Sequence, residues 1–479
     1  MPANSRREFL KAASATAAAL AVSHRIPAWA DQAASSATVK VWSTFREKRY
    51  ATADPLAWKP VTAVAADAIV LDPGSTRQEM LGFGAALTDA ACYVLSQLPS
   101  VDREAVIYDL FAPETMALNV CRTCVGASDY SRSAYTFDES PQPDPDLKKF
   151  SIDHDKAYIL PVLRDARKAN PDLFLFSSPW TPPGWMKSSN SMLGGAMRKH
   201  SYEPYARYFL KFLDAYKAEG VEINAITVQN EVDADQDGRM PACLWGQEYE
   251  IEFVKSYLGP AMRKAGVSTR IWVLDHNYNL WGRAIGELSD PEAYEFIDGI
   301  AWHGYAGDVS AMTRVHDSFP QKSAYWTEGG PDVTAPDYQT DWATWANTYN
   351  GIVNNWARSI TAWNLALDEK GKPNIGPFSC GGVITIENGT HKVTKSGQYW
   401  AFAHFSKHVR RGAKVFRTDG VGAGAEPDLV SHAGFRNPDG SYVVVLANKG
   451  GEKRVQLVLG SNALDIDLPA DSVYTLQWS

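Results

Sequence analysis

Between about residues 78 and 412, short apolar runs alternate with longer stretches of helical periodicity. The clearest helix is predicted over 202–219, where aromatic residues and leucine recur at steps of three and four and Gly220 provides the stop. The run VEINAITVQ follows at once and has the composition of a buried strand. Repeated strand–helix units predict the α/β class with a parallel sheet, and eight such units would close a (β/α)8 barrel. Further apolar runs of this kind lie at 174–179, 270–275, 297–304, 323–329 and 359–367.

The two ends of the chain have a different pattern. Short alternating stretches interrupted by prolines lie between Thr38 and Val70, and from about Lys414 the apolar positions recur with period two. We expect an antiparallel β-sandwich to which both ends of the chain contribute strands. The predicted domains are a leader at 1–30, N-terminal sandwich strands at 31–77, the barrel at 78–412 and C-terminal sandwich strands at 413–479.

The first 30 residues predict an export signal. Arg6 and Arg7 form a twin-arginine motif, an apolar run extends from Ala12 to Val22, and the small residues Ala28 and Ala30 on either side of Trp29 form a cleavage site. The apolar run is too short to cross a bilayer as a helix. We therefore expect cleavage before Asp31, export to the periplasm or the medium, and no stable insertion into a membrane.

Composition narrows the classes of partner. The 479 residues carry 55 acidic and 47 basic side chains, a net charge of −8. No basic face is expected that could neutralise phosphate groups, so nucleic acid is a poor partner and a neutral or cationic substrate a better one. The 16 Trp, 21 Tyr and 18 Phe residues exceed what a core alone needs, which favours a cleft that binds its ligand with flat aromatic faces.

Polar or aromatic side chains stand at the C-terminal end of most predicted barrel strands, and in such a barrel these ends meet at one face. Glu231 and Glu328 each follow a buried strand directly. Two carboxyl groups across a barrel mouth suit glycoside hydrolysis, in which one donates a proton to the leaving oxygen and the other attacks the anomeric carbon. The other strand-end residues expected at the substrate site are Trp180, Asn230, His276, His303, Tyr305 and Trp363.

No metal site is predicted. The stretch DADQDG at 233–238 resembles the start of a calcium loop, but Leu244 stands where that loop requires a bidentate glutamate, so a solvated turn is the preferred interpretation. His276, His303 and His316 lack the spacing of a zinc motif.

Two further patterns are interpreted as structural. Cys121 and Cys124 form an isolated CxxC and are expected to be apolar strand residues rather than a redox pair. The stretch GFGAAL at 82–87 lacks the third glycine of a dinucleotide-binding loop, and the chain contains neither a P-loop nor a GxSxG motif.

Seven segments that occur in one order along the chain resemble glycoside hydrolase family 30, which includes glucosylceramidases and endo-β-1,6-glucanases. The resemblance implies a retaining mechanism with Glu231 as acid/base and Glu328 as nucleophile. The segments are QEMLGFGAALTDAA (78–91), SSPWTPPGWMKSS (177–189), ITVQNEV (226–232), IAWHGY (300–305), YWTEGG (325–330), ITAWNLALDEKGKPN (360–374) and GQYWAFAHFSKHVRRGAK (397–414).

The same resemblance implies roles for further residues. A cation and hydrogen-bond donors are expected to keep Glu328 ionised, and a more apolar setting to keep Glu231 protonated. Val232 stands where the family usually has proline, and the acidic loop after it borders the leaving-group side. By motif matching, Asp89 and Trp180 would hold the sugar, Asn230 would bond its 2-hydroxyl, Trp363 would form part of the wall and Arg122 would favour the charged nucleophile.

The sequence thus predicts an exported retaining β-glycosidase that acts on a β-glucoside or β-glucan without a cofactor. A glucosylceramidase-like β-glucosidase is the first expectation, and an endo-β-1,6-glucanase is the alternative. β-Xylosidase and β-fucosidase activities belong to the same family. A catalytically silent carbohydrate-binding protein would keep the aromatic residues and lose one of the two glutamates, and both glutamates are present here.

Overall fold

The computed structural model describes residues 38–420 and 430–479. The predicted leader at 1–30 lies outside the described residues, and export therefore stays a prediction. No helix in the described ranges combines the length and the apolar character that crossing a membrane requires.

Eight parallel strands form the barrel, as predicted. Four strands precede them: β1 (Thr38–Phe45), β2 (Lys48–Ala57), β3 (Lys59–Pro60) and β4 (Ile69–Glu79). The barrel strands are β5 (Gly82–Ala85), β6 (Val120–Cys124), β7 (Phe174–Ser178), β8 (Ala225–Thr227), β9 (Arg270–Asn277), β10 (Ile297–His303), β11 (Ser323–Glu328) and β12 (Ala357–Ala362). Their order in space is β5-β12-β11-β10-β9-β8-β7-β6.

The barrel closes between β5 and β6 because a glycine allows the two backbones to approach. The Leu87 amide donates to the Arg122 carbonyl at 2.8 Å, and the Asn119 amide donates to the Phe83 carbonyl at 2.9 Å. A Cβ atom on Gly84 would lie 1.9 Å from the carbonyl oxygen of Val120. The glycines of the GFGAAL stretch are therefore required for closing the barrel. This explains why they occur here although the stretch is not a nucleotide-binding loop.

Helices connect the strands and cover the barrel. The helix predicted over 202–219 is observed as Tyr202–Ala218 and buries the aromatic face that the periodicity indicated. The helices are α1 (Asp89–Ser96), α2 (Ser100–Phe111), α3 (Asp153–Lys156), α4 (Ile159–Ala169), α5 (Tyr202–Ala218), α6 (Gln247–Phe253), α7 (Gly259–Ala265), α8 (Trp281–Ser289), α9 (Pro291–Tyr294), α10 (Ala311–Ser318), α11 (Trp342–Asn354) and α12 (Gly397–Ser406).

Both ends of the chain share one ten-stranded sheet, in agreement with the predicted sandwich. Its order is β2-β1-β21-β18-β17-β16-β4-β19-β20-β3, and Val41 on β1 lies opposite Leu476 on β21. The remaining strands are β13 (Ala366–Leu367), β14 (Ile384–Ile386), β15 (Val393–Lys395), β16 (Lys414–Asp419), β17 (Ser431–Arg436), β18 (Tyr442–Asn448), β19 (Lys453–Leu459), β20 (Asn462–Leu468) and β21 (Ser472–Trp478).

The sandwich packs tightly against the barrel. On β18, Val444 and Leu446 face the core of the sandwich, whereas Val443 and Val445 belong to the core shared with the barrel. This central strand is therefore buried on both faces, which explains why its sequence is continuously apolar. The indole of Trp342 on α11 adds a hydrogen bond across the boundary, to the Asp471 carbonyl at 3.0 Å.

Replacing Gly84 with alanine tests the closure of the barrel. We expect Gly84→Ala to lower the free energy of unfolding by more than about 3 kcal/mol, or to prevent folding, because a backbone oxygen occupies the place of the new methyl group. Gly282→Ala is the matched control, since a Cβ atom on Gly282 meets no atom within 4 Å. Equal melting temperatures for both variants, measured by circular dichroism, would contradict this account of the closure.

Candidate active site

A cavity of about 340 Å³ opens at the C-terminal ends of the barrel strands. Its walls combine carboxyl, amide, imidazole and aromatic groups, a composition suited to a polar ligand with flat faces. Most of the residues expected from strand ends line it: Trp180, Asn230, Glu231, His276, Tyr305, Glu328 and Trp363.

Arg122 lies beneath the cavity floor and is completely buried. Its guanidinium donates to the carboxylate of Glu328, to the Asn230 side-chain oxygen at 2.8 Å and to Asp275 at 2.7 Å. It also lies 4.6 Å from the ring centroid of Trp180. Arg122 therefore does not line the cavity as a sugar ligand, and instead it orients two residues that do.

Asp275 is the central anion of the site, and from the sequence it had only a position at a strand end and no assigned role. Its carboxylate accepts three hydroxyl hydrogen bonds from neighbouring strands and one from Arg122. Burial disfavours its charge, but Arg122 and then His303 hold its pKa far below the usual range. The signal for a functional role of Asp275 was its position in the sequence, next to His276 at the C-terminal end of β9. The hydroxyl donors are Ser178 at 2.7 Å, Thr227 at 2.7 Å and Thr327 at 2.8 Å.

His303 lies between the two glutamates and is fully buried. Its Nδ1 atom is 3.5 Å from Glu231 Oε1, and its Nε2 atom is 3.6 Å from Glu328 Oε2. Nε2 also lies 3.0 Å from Asp275 Oδ1. Burial disfavours the imidazolium, but Glu328, Asp275 and Glu231 outweigh burial and raise the pKa of His303 to about 9. A positive charge therefore separates the two carboxyl groups near neutral pH.

This imidazolium overturns the expected protonation pattern of the pair. Burial alone would raise the pKa of Glu231, but His303 and His276, with the amide of Gln236, lower it. Burial raises the pKa of Glu328, helped by the nearby carboxylates, and His303 and Arg122 offset only part of the rise. The expected apolar setting around Glu231 is wrong, because its immediate neighbours are two imidazoles and an amide.

The acidic loop at 233–238 is more than a solvated turn. Its first aspartate, Asp233, contacts His276 Nε2 at 2.5 Å, and Gln236 donates to Glu231 Oε2 at 2.9 Å. Glu231 itself has a φ of 53°, and its amide donates to the Asp275 carbonyl at 3.0 Å. This left-handed backbone turns the chain from β8 into the loop, a kind of strain that concentrates at functional sites.

Asp89 does not line the cavity, and its implied contact with the sugar stays a prediction. Its carboxylate is buried and already accepts hydrogen bonds from His154 at 2.6 Å, Tyr158 at 2.8 Å and the Arg132 amide at 2.9 Å. The aspartate in the cavity wall is Asp129, in the loop after β6. Burial is the main cause that raises the pKa of Asp129 well above its usual range, and the nearby Glu328 and Glu231 raise it further.

The aromatic residues divide into buried and exposed groups. Trp180 and Trp363 are almost completely buried and stack on each other, with ring centroids 5.0 Å apart and an interplanar angle of 21°. Tyr305 and Phe378 stand at the rim with 47% and 44% of their surface exposed. The Tyr305 hydroxyl also donates to Glu328 Oε1 at 3.2 Å. The cavity thus has a firm aromatic floor and an open aromatic edge.

The fold brings together a cluster of possible metal ligands that the spacing of histidines along the sequence did not predict. Glu231, His276 and His303 offer ligand atoms that all lie within 4.8 Å of one another, although they come from three different strand ends. All five cysteines are free, and Cys121 and Cys124 are buried residues of β6, as interpreted from the sequence.

Two family models match the chain along most of its length. The glycosyl hydrolase family 30 TIM-barrel domain matches residues 80–409, and the glycosyl hydrolase family 30 beta sandwich domain matches residues 417–476. The chain belongs to glycosyl hydrolase family 30. This family 30 glycosidase accordingly has the two domains that its sequence predicted, a barrel and a sandwich.

Relatives of this family 30 chain include enzymes of both expected kinds. It is 33% identical to endo-1,6-beta-D-glucanase of Neurospora crassa over 80% of this chain and 81% of that protein. It is 28% identical to mouse lysosomal acid glucosylceramidase, over 86% of this chain and 83% of that protein. A solved endo-beta1,6-glucanase structure is 29% identical, with a TM-score of 0.83, over 92% of this chain and 99% of that one.

Neutralising the central anion of this family 30 enzyme should damage both stability and activity. We expect Asp275→Asn to lower the free energy of unfolding by about 3–5 kcal/mol, because Arg122 is left with a buried, poorly paired charge. Asp465→Asn is the matched control. Asp465 pairs with Arg454 at 3.4 Å on the surface, where such a pair contributes at most about 1 kcal/mol. Chemical denaturation and turnover assays check both variants, and equal stability of the two would contradict the central role of Asp275.

Proposed function

We propose that this family 30 glycosidase is a retaining endo-β-1,6-glucanase. The Neurospora crassa relative named as an endo-1,6-beta-D-glucanase is 33% identical to this chain, and the lysosomal glucosylceramidase is 28% identical. This ranking favours the alternative activity over the glucosylceramidase-like one that the sequence motifs alone had put first.

The observation that carries the proposal is the polar loop beside Glu231. Gln236 lines the cavity beside Glu231, and the Asp233 side chain next to it is 48% exposed. With Glu231 as the acid/base, both residues would border the leaving group. A sugar in this position would find hydrogen-bond partners for its hydroxyl groups, whereas the alkyl chains of a lipid would desolvate these polar groups without replacing their bonds. The rim aromatics Tyr305 and Phe378 would add flat faces for further sugar rings.

The chemistry assigned to the two glutamates is double displacement. In the first step, Glu328 forms a bond to the anomeric carbon, the glycosidic bond breaks, and the proton of Glu231 passes to the leaving oxygen. In the second step, Glu231 accepts a proton from water, whose oxygen attacks the same carbon and releases Glu328. A bound sugar shields Glu231 from solvent, which favours its protonated form.

The neighbouring groups have definite tasks in this scheme. Arg122 and the Tyr305 hydroxyl hold the two oxygens of Glu328, which orients the nucleophile for attack. Arg122 also occupies the side-chain oxygen of Asn230, and this leaves the Asn230 amide to donate to the sugar 2-hydroxyl. The edges of Trp180 and Trp363 shape the floor on which the sugar rests.

Replacing the two glutamates separates their roles. Glu328→Gln should reduce hydrolysis of an activated aryl β-glucoside to background. Glu231→Ala should cost about 10²–10⁴-fold on substrates with poor leaving groups and much less on activated ones, where azide should restore turnover. Glu203→Gln, an exposed helix position paired with Arg207, is the control and should leave turnover unchanged. Equal losses for Glu231→Ala on both substrate types, without azide rescue, would refute its assignment as acid/base.

A comparison of two substrates tests the specificity. We expect soluble β-1,6-glucooligosaccharides from pustulan, with newly formed ends that first appear as the β-anomer in proton NMR, and weak release of glucose from glucosylceramide. Faster turnover of glucosylceramide would favour the lipid-linked alternative, for which the exposed Phe378 would be the contact. An α-anomer as first product would exclude retention, and turnover of neither substrate nor of aryl glycosides would favour a silent binding protein.

A further inference from the structure

Two buried imidazole nitrogens point at the same oxygen of Glu231 without hydrogen bonds of their own. His276 Nδ1 lies 3.9 Å from Glu231 Oε1, and His303 Nδ1 lies 3.5 Å from it. Both Nδ1 atoms are buried and lack a hydrogen-bond partner among the described residues. Their one shared neighbour, Glu231 Oε1, lies at or beyond the limit of a hydrogen bond from each nitrogen. Buried polar atoms in native proteins are nearly always paired more closely, so an ion held between the three atoms would complete their pairing.

The opposite nitrogen of each ring is held by a carboxylate. His303 Nε2 lies 3.0 Å from Asp275 Oδ1, and His276 Nε2 lies 2.5 Å from Asp233 Oδ1. In a neutral imidazole, a carboxylate on the far nitrogen keeps the ring proton there and leaves the lone pair on the near nitrogen, which is the usual arrangement around metal-bound histidines. At His303, whose charged form the surrounding carboxylates favour, an incoming ion must displace the Nδ1 proton to solvent. Here the arrangement occurs twice, around one carboxylate oxygen.

The spacing of the three atoms suits a small tetrahedral ion. With metal–ligand distances of about 2.0–2.1 Å, neighbouring ligand atoms of a tetrahedral site lie about 3.3–3.4 Å apart. The distance from His303 Nδ1 to Glu231 Oε1 exceeds this value by about 0.1–0.2 Å and that from His276 Nδ1 by about 0.5–0.6 Å. The three residues offer ligand atoms within 4.8 Å of one another, so side-chain rotations must draw them together around the ion. Glu231 Oε2 is held by Gln236, so Oε1 is the oxygen that stays available. The fourth position faces the cavity, which Glu231 and His276 line.

We propose that Glu231, His276 and His303 bind a divalent transition-metal ion of the zinc class, and that this ion inhibits the enzyme reversibly by capturing the carboxylate of its acid/base. Two imidazoles and one carboxylate form a ligand set that zinc prefers and that calcium and magnesium, which require oxygen ligands, do not. Binding forms three coordinate bonds, releases any proton carried on the ligand atoms to solvent, and breaks no covalent bond. Metal binding is independent of the proposed function, whereas the inhibition of the enzyme by the metal rests on that proposed function.

The binding is tested on the full-length chain by a readout independent of turnover. Isothermal titration with zinc chloride should give one site per chain, and cobalt(II) should give the intense visible absorption of a four-coordinate ion. Asp233→Asn should weaken zinc binding about 10- to 100-fold, the usual cost of losing an outer-sphere carboxylate. His276→Ala should weaken it further, since a direct ligand is lost. His200→Ala, at an exposed histidine, is the matched control and should bind zinc like the unmodified chain.

The outcomes separate the metal site from the proposed reaction. Loss of β-glucan hydrolysis on adding zinc, with full recovery after EDTA, supports the inhibitory site, and calcium at the same concentration should have no effect. Zinc affinity that is equal in Asp233→Asn, His276→Ala and the unmodified chain would overturn the proposal, as would six-coordinate cobalt spectra. Because titration does not require a substrate, a protein that binds zinc at this site but hydrolyses no β-glucan would contradict the proposed function and not the metal site.

Discussion

The active site depends on one buried charge. The guanidinium of Arg122 has no solvent exposure, and a charge in such a place is tolerated only when partners replace its lost water. Asp275, Glu328 and Asn230 supply these partners, each from a different segment of the barrel. The register of the barrel strands is thus coupled to the placement of Glu328, because a shift of any contributing strand would leave the Arg122 charge buried without a partner.

The same network explains the distribution of charge among the catalytic groups. Asp275 is saturated with donors and stays ionised, so it compensates Arg122 and also stabilises the imidazolium of His303. His303 in turn lowers the pKa of Glu231, while burial dominates at Glu328. The two glutamates therefore do not have the simple arrangement of one apolar and one charged setting, and their protonation is shared with the histidine between them.

The loop beside Glu231 is built differently. Glu231 turns out of β8 through a left-handed backbone, and the loop that follows returns two side chains to the catalytic carboxyl and to His276. Loops on a rigid barrel can vary without disturbing the packed strands beneath them. Asp233 and Gln236 make their polar contacts in this loop, while Arg122 and Asp275 form the buried network below it.

Sequence alone determined the parts of this protein that depend on local pattern. Hydrophobic periodicity predicted the barrel, the helix that stops before Gly220 and the sandwich formed from both chain ends. The reason is that the spacing of apolar residues shows which face of an element is buried. The positions of Glu231 and Glu328 after apolar runs then predicted that they share one site, because the parallel strands of a barrel bring their carboxyl ends together.

Only the tertiary structure decided which polar groups meet across the barrel. Asp275 had no role assigned from the sequence, which also did not predict that Asp129 lines the cavity wall while Asp89 accepts hydrogen bonds from Tyr158 and His154. The charge on His303 could not be predicted either. Each of these properties arises from side chains far apart in sequence whose distances and burial are set by strand register, and electrostatic energies depend on those distances and on the local exclusion of water.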